Sequence, residues 1–179
     1  MNVSWCGLGK LGLTCALALE KRGGHQVIGY DQSPRAAQIL AGEAPPPEEA
    51  GIEDLLDGAT LKLASSPAEL VAATDGIVMV SVQTPHDPRY GGEAPIVDQP
   101  VDFEYGYLIQ AVRDLAIAAE DQDKPITIVV ISTVLPGTTR AHLAPLCGRN
   151  VKLVYGPYFI AMTITLSDFL NPEFVLLGS

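Results

Sequence analysis

The stretch Val3-Ser4-Trp5-Cys6-Gly7-Leu8-Gly9-Lys10-Leu11-Gly12-Leu13 decides how this chain folds. Val3 to Cys6 is a short apolar run, and it leads straight into a Gly-x-Gly-x-x-Gly spaced as Gly7, Gly9 and Gly12. From Lys10 to Arg22 the apolar residues Leu13, Ala16, Leu17 and Leu19 recur at helical spacing, and Gly23-Gly24 ends the pattern. Between a strand and a helix the three glycines act differently. Gly7 makes the tight turn, Gly9 lets backbone approach a pyrophosphate, and Gly12 lets the helix pack closely. The free N–H groups of the first helical turn then face anionic phosphates.

The next segment completes the signal. Gln26 to Tyr30 reads as a second strand, closed by Asp31, nineteen residues beyond Gly12. An acid at that place hydrogen-bonds the adenosine ribose hydroxyls and repels a 2′-phosphate, so the pattern predicts NAD as the cofactor in preference to NADP. The cofactor candidates are therefore Gly7, Leu8, Gly9, Lys10, Leu11, Gly12 and Asp31. Arg35 either flanks the adenosine end or is a solvated helix residue.

Outward from this unit, strands alternate with helices. Ser33 can cap a helix from Pro34 to Leu40, Ala44-Pro45-Pro46-Pro47 is loop, and Ile52 to Leu56 is a short helical turn. Strands are predicted at 61–64, 76–82, 126–131, 151–155 and 174–177. Helices are predicted at 67–72 and 136–146, and an amphipathic one is marked by Leu108, Ala111, Val112, Leu115 and Ala119. Thr84 to Pro100 is a long loop rich in Pro, Gly and Asp, of the kind that carries function or moves. Strands apolar on both faces between helices predict an α/β, Rossmann-type doubly wound, mainly parallel sheet in a single domain over residues 1–179.

Bulk properties narrow the partners. With 47% hydrophobic residues the chain can fill one core. A net charge of −10 argues against a nucleic-acid surface and against an anionic membrane. No run of about 18 apolar residues predicts a transmembrane span, and the start reads as a strand, not a signal peptide. Cys6, Cys15 and Cys147 form no CxxC pair and no zinc spacing, which predicts reduced structural thiols, a cytoplasmic setting and no metal. His25, His86 and His142 are scattered, although His86 follows a Thr-Pro motif and can reach the cleft.

Two further motifs fall at strand ends, where open α/β sheets bind ligands. They are Ser81-Val82-Gln83-Thr84-Pro85 and Ser132-Thr133-Val134-Leu135-Pro136-Gly137-Thr138. Val82, Thr84, Pro85, Ser132 and Thr133 are thus added to the cofactor candidates, placed for the nicotinamide half; turn and cap chemistry is the plainer alternative for each. In order, GLGKLGL, GHQVIGYD, GIEDLL, VQTP and ISTVLPGT resemble the amino-terminal domain of the UDP-glucose/GDP-mannose dehydrogenase family over the whole chain.

That resemblance implies oxidation of a sugar C6 alcohol to a carboxylate with two NAD, through a cysteine thiohemiacetal with a lysine steadying the oxyanion. By position, Leu11, Asp31, Thr84 and Thr133 match NAD contacts, and Thr133 also matches a threonine that positions water, which makes it the one catalytic candidate. The implied partner is a nucleotide-sugar substrate.

The chain also departs from the family. The family places Asn-Pro-Glu-Phe after the sixth strand, with a second glutamate four residues on. Here Val151 to Tyr155 is followed by Gly156-Pro157-Tyr158-Phe159-Ile160-Ala161-Met162, so Tyr158 and Met162 stand for the two glutamates in the preferred register, and residues 157–162 form the substrate loop. In the other register Glu173, within Asn171-Pro172-Glu173-Phe174, occupies the loop. The family's long dimer helix, catalytic lysine and catalytic cysteine have no counterpart in these residues. The chain alone is therefore expected to bind NAD without completing the reaction, with a homodimer or a partner supplying the rest. Two other readings stay open: a non-catalytic NAD-binding or regulatory module, and a domain of 6-phosphogluconate or 3-hydroxyacid dehydrogenase type.

Overall fold

The computed structural model describes residues 1–90, 99, 101–161 and 163–179. Six strands form one sheet in the order β3-β2-β1-β4-β5-β6. They are β1 (Asn2–Cys6), β2 (Gln26–Tyr30), β3 (Lys62–Leu63), β4 (Ile77–Val80), β5 (Ile126–Val130) and β6 (Val151–Tyr155). Every neighbouring pair is parallel. The chain winds outward from β1 in one direction and then, from β4, in the other. The switch in direction lies between β1 and β4, the place where such sheets open a crevice at the strands' carboxyl ends.

Alternation in β1 supplies both faces of the core. Trp5 packs with α1 (Lys10–Lys21) and α3 (Ile52–Leu56) on one side, whereas Cys6 packs with α4 (Pro67–Ala73) and α5 (Gly106–Asp121) on the other. Helix α2 (Arg35–Leu40) contributes Ala36 and Ile39 to the first side. Helix α5 buries Leu108, Val112, Leu115 and Ala119 along one stripe, each large side chain giving about 2 kcal/mol of burial. Helix α4 starts on a reciprocal cap: Ser66 Oγ accepts the Glu69 N–H at 3.2 Å, and the Glu69 carboxylate accepts from the Ser65 N–H at 2.7 Å. Among the described residues no helix is long and apolar enough to cross a membrane.

Two expectations are corrected, and one element had not been expected. The run Phe174 to Leu177 is no strand; it meets the sheet only through an antiparallel bridge between Tyr155 and Gly178. The chain meets β6 only at Gly178, one residue past the run, so the run itself forms no ladder. The helix expected from Pro136 begins later. Gly137 adopts φ +94° in a turn, after which Thr139–Leu143 winds as a π-helix and Ala144–Leu146, with Pro145 unable to donate, as a 3-10 turn. Helix α6 (Thr165–Leu170) has no counterpart among the expected elements. The expected loop after β4 contains a 3-10 turn at Pro88–Tyr90, and residues 91–98 and 100 lie outside the described residues.

Candidate functional site

The Gly-x-Gly-x-x-Gly stretch leaves β1 and enters α1 as its spacing requires. Gly7 turns at φ +91°, and a Cβ there would lie 2.8 Å from the Ser81 backbone. A Cβ on Gly12 would run into the Gly7 carbonyl and stand 2.5 Å from Ser81 Oγ. Gly9 differs: a Cβ there would meet nothing within 4 Å. Two glycines are demanded by the protein's own packing, and the third faces open space beside a helix amino terminus. That geometry could hold a pyrophosphate.

Asp31 does more than its place at the end of β2 announced. One carboxylate oxygen accepts the Leu8 N–H at 2.6 Å and the other the Ser33 N–H at 2.8 Å. Each oxygen keeps a further lone pair for a ribose hydroxyl. The Leu8 side chain lies under Gly29, where a Cβ would come within 2.6 Å of it; the glycine inside β2 is what lets the turn settle onto the sheet.

These groups open into a cavity of about 790 Å³ at the strands' carboxyl ends, bounded on its far side by α5. Of the expected cofactor residues, Gly7, Gly9, Asp31 and Val82 line it. Glu104 and Asp114 add two more carboxylates to its wall, so an additional phosphate on the ribose would meet a negative field. Burial and the carboxylates of Asp31 and Asp114 push the Cys6 thiol up to about 12. The Tyr30 phenol is raised by burial, Cys6, Asp114 and Asp31 in that order. Both line the cavity as neutral groups.

Thr84, Pro85, Ser132 and Thr133 stand further along the same edge of the sheet, and their bonds join the ends of β4 and β5. The Thr84 hydroxyl donates to the Thr133 carbonyl at 2.8 Å, and the buried Ser132 hydroxyl to the Val82 carbonyl at 2.7 Å. The Glu104 N–H donates to the Pro85 carbonyl at 2.7 Å. The Thr133 side chain is exposed. Arg35 extends away, its guanidinium 3.4 Å from the Pro45 carbonyl. His86 stacks edge-on against Phe103 at 6.1 Å.

Three contributors have no place among the residues expected from sequence. Ser81 accepts the Trp5 indole N–H at 2.8 Å and donates to the Gly7 carbonyl at 2.8 Å, which fixes the glycine turn from below. The Tyr105 hydroxyl donates to Asp102 at 2.5 Å and accepts from the Leu135 N–H and the Thr138 hydroxyl at 3.2 Å, tying α5 to the β5 loop. Glu49, buried in the loop before α3, binds the segment after β6. Only Ser81 had a local signal, its place in the Ser81–Pro85 motif.

The segment after β6 forms a second, smaller cavity of about 340 Å³. Pro157, Tyr158, Phe159 and Ile160 line it, and so does Glu173 from the far end of α6. Tyr158 packs on Phe169 with ring centroids 5.4 Å apart, and burial, then Cys15, raises its phenol well above the ordinary range. The Ala161 N–H donates to Asp168 at 2.9 Å. Met162 lies outside the described residues.

Fold and cleft together define a dinucleotide-binding domain of the dehydrogenase type. A family model for the NAD-binding domain of the UDP-glucose/GDP-mannose dehydrogenase family matches residues 1–179. The chain belongs to that family, and its cofactor is NAD. It is 32% identical over 190 aligned residues to a GDP-mannose 6-dehydrogenase of Pseudomonas syringae pv. tomato, with 99% of this chain and 40% of that protein covered.

Two solved structures share the fold closely, each at 28% identity and 99% coverage of this chain. One is a ternary complex of GDP-mannose dehydrogenase from Pseudomonas aeruginosa, with a TM-score of 0.83 and 41% of its chain covered. The other is a UDP-glucose dehydrogenase from Pyrobaculum islandicum, with a TM-score of 0.81 and 40% covered. The chain spans about 40% of the length of the curated relatives it matches.

Proposed function

We propose that residues 1–179 serve as the cofactor half of a nucleotide-sugar 6-dehydrogenase, which oxidises a sugar C6 alcohol to a carboxylate in the cytoplasm. The observation that carries this reading is the glycine cradle, with Gly9 open to a pyrophosphate and Asp31 holding Leu8 in place beside it. Bound NAD supplies the hydride acceptor. Gly7, Leu8, Gly9, Lys10, Leu11 and Gly12 present the helix amino terminus to its phosphates, and Asp31 takes the ribose. The motifs around Val82, Thr84 and Pro85, and around Ser132 and Thr133, hold the nicotinamide end, with Thr133 exposed there to orient water.

We further propose that these residues alone bind NAD without turning over sugar. Attack on a sugar aldehyde needs a thiolate. Burial keeps Cys6, Cys15 and Cys147 protonated, each thiol being raised. On the sugar side Tyr158 packs as a neutral phenol and supplies no carboxylate base. The exposed apolar groups Phe159, Phe174, Val175, Leu176 and Leu177 are the surface against which a homodimer or a partner supplying the catalytic half would sit.

Calorimetric titration of the purified chain with NAD, NADP and each nucleotide sugar tests this reading, with Asp31→Ala in parallel. NAD binding that weakens in the variant is expected. Equal affinity for NADP would overturn the role of Asp31, and turnover of UDP-glucose or GDP-mannose by this chain would overturn the division of labour.

A further inference from the structure

The Glu49 side chain is fully buried, 0% exposed, and lies outside the cofactor cavity. Its carboxylate accepts the Thr163 N–H at 2.8 Å, the Thr165 N–H at 3.0 Å and the Thr165 hydroxyl at 2.7 Å. The Ala50 N–H adds a bond to the Thr163 carbonyl at 3.2 Å. A side chain from before α3 thus satisfies the first turn of α6, where no local side chain does so. Thr163 is held at φ +79°, a conformation that a β-branched residue adopts only when its surroundings impose it.

Glu49 has one more partner. Lys10 Nζ lies 3.9 Å from Glu49 Oε1 and is 37% exposed. Lys10 is the first residue of α1 and follows Gly9, the open glycine of the cradle. Lys10 is therefore paired with a buried carboxylate and adjoins in sequence Gly9, which lines the cavity where a dinucleotide's phosphates would lie.

Resting on the NAD reading, we propose that Glu49 is a positioning residue. It docks the segment that follows β6, and it shares Lys10 with the pyrophosphate of bound NAD, so that cofactor binding and docking of that segment draw on one cation. Two anions sharing one cation oppose each other. Removing the charge of Glu49 frees Lys10 for the phosphates and removes a nearby negative charge, while it loosens α6. A residue with a merely structural role would weaken both.

The molecule carries its own reporter. Trp5 is the sole tryptophan; it is fully buried and lies edge-on to Phe169 of α6 at 6.5 Å. The experiment measures Trp5 emission and NAD affinity on the intact chain for wild type, Glu49→Gln and Lys10→Met. In Glu49→Gln an amide NH₂ replaces one of two acceptor oxygens, so one Thr donor loses its partner.

The expected result is a red-shifted Trp5 emission in the free variant, together with NAD affinity raised about two- to fivefold, the range for a partly exposed ion pair. Lys10→Met keeps all three Glu49 bonds. It should leave the free emission unchanged and weaken NAD by a similar factor. A Glu49→Gln chain that loses NAD affinity along with its emission, or changes in neither, overturns the proposal. If Glu49→Gln does not fold, Lys10→Met decides: wild-type NAD affinity in that variant overturns it. Failure of the wild type to bind NAD is a separate result, which overturns the functional reading and this one with it.

Discussion

The glycine turn after β1 and the segment after β6 sit at carboxyl ends of the same sheet and are held in opposite ways. Around the turn nearly every restraint is close in sequence or lies directly below it. Gly7 and Gly12 fill each other's space, Ser81 braces both, and Asp31 binds Leu8. The segment after β6 is surface for most of its length, with Phe159, Phe174, Val175, Leu176 and Leu177 all exposed. It is fastened chiefly by Glu49, the bridge between Tyr155 and Gly178, and the packing of Tyr158 on Phe169. The contrast teaches that the glycine turn is built to one shape on its own, while the segment after β6 takes its shape from a few distant anchors.

Substitutions can break this contrast. The largest effect is expected at Gly12→Ala, whose Cβ has no room against the Gly7 carbonyl and Ser81. It should cost about 3 kcal/mol of stability, seen as a lower thermal midpoint. Gly9→Ala is its control: the added methyl meets open space, so the midpoint should hold while calorimetry shows NAD binding weakened. Equal melting of both variants would mean that Gly9 is also a packing residue.

Next comes Asp31→Ala, which strands the Leu8 and Ser33 N–H groups. A loss of about 2 kcal/mol in NAD binding is expected, the scale of charge-assisted hydrogen bonds, with a smaller preference for NAD over NADP.

Acid sharpens the comparison from the other side. Burial opposes ionisation of Glu49, but the Thr165 hydroxyl, the Thr163 and Thr165 N–H groups and Lys10 together outweigh it and lower its carboxyl from 4.5. Its stabilising contribution is therefore complete above that ordinary value and is lost as pH falls through the lower folded one. The facing ionisable groups are Lys10 and the protonated thiol of Cys15. Trp5 emission should shift on acidification from about pH 6 to about pH 3 in wild type and stay flat in Glu49→Gln.

The smallest effect is expected at Leu176→Ser, on the exposed apolar run. Its midpoint should move by less than about 0.5 kcal/mol, while self-association, read by light scattering, falls.

What the sequence made legible follows the same division. The order of β1, the glycine turn, α1 and β2 was readable because glycine spacing and periodicity are local signals. Most strand boundaries erred by a residue or two, as at 61–64 against Lys62–Leu63. Glu49 was illegible because its partners lie 114 and 116 residues away, and no local rule pairs a loop glutamate with a later helix. The expected strand at 174–177 failed for a related reason: an apolar run says that a strand is affordable, not that a neighbour is in register. Of the cofactor candidates, Gly7, Gly9, Asp31 and Val82 line the large cavity. The hydroxyls of Thr84 and Ser132 are engaged in joining two loops, a role that spacing alone does not separate from ligand contact.

The double engagement of Asp31 bears on how this lineage can change. On the role proposed for it, a carboxylate that takes the ribose and also pins Leu8 and Ser33 links cofactor choice to foldability. A descendant that adopts a phosphorylated dinucleotide cannot simply swap residue 31 for a basic one. It must first acquire a substitute acceptor for two backbone amides, so the path to new specificity runs through a compensating mutation elsewhere in the turn.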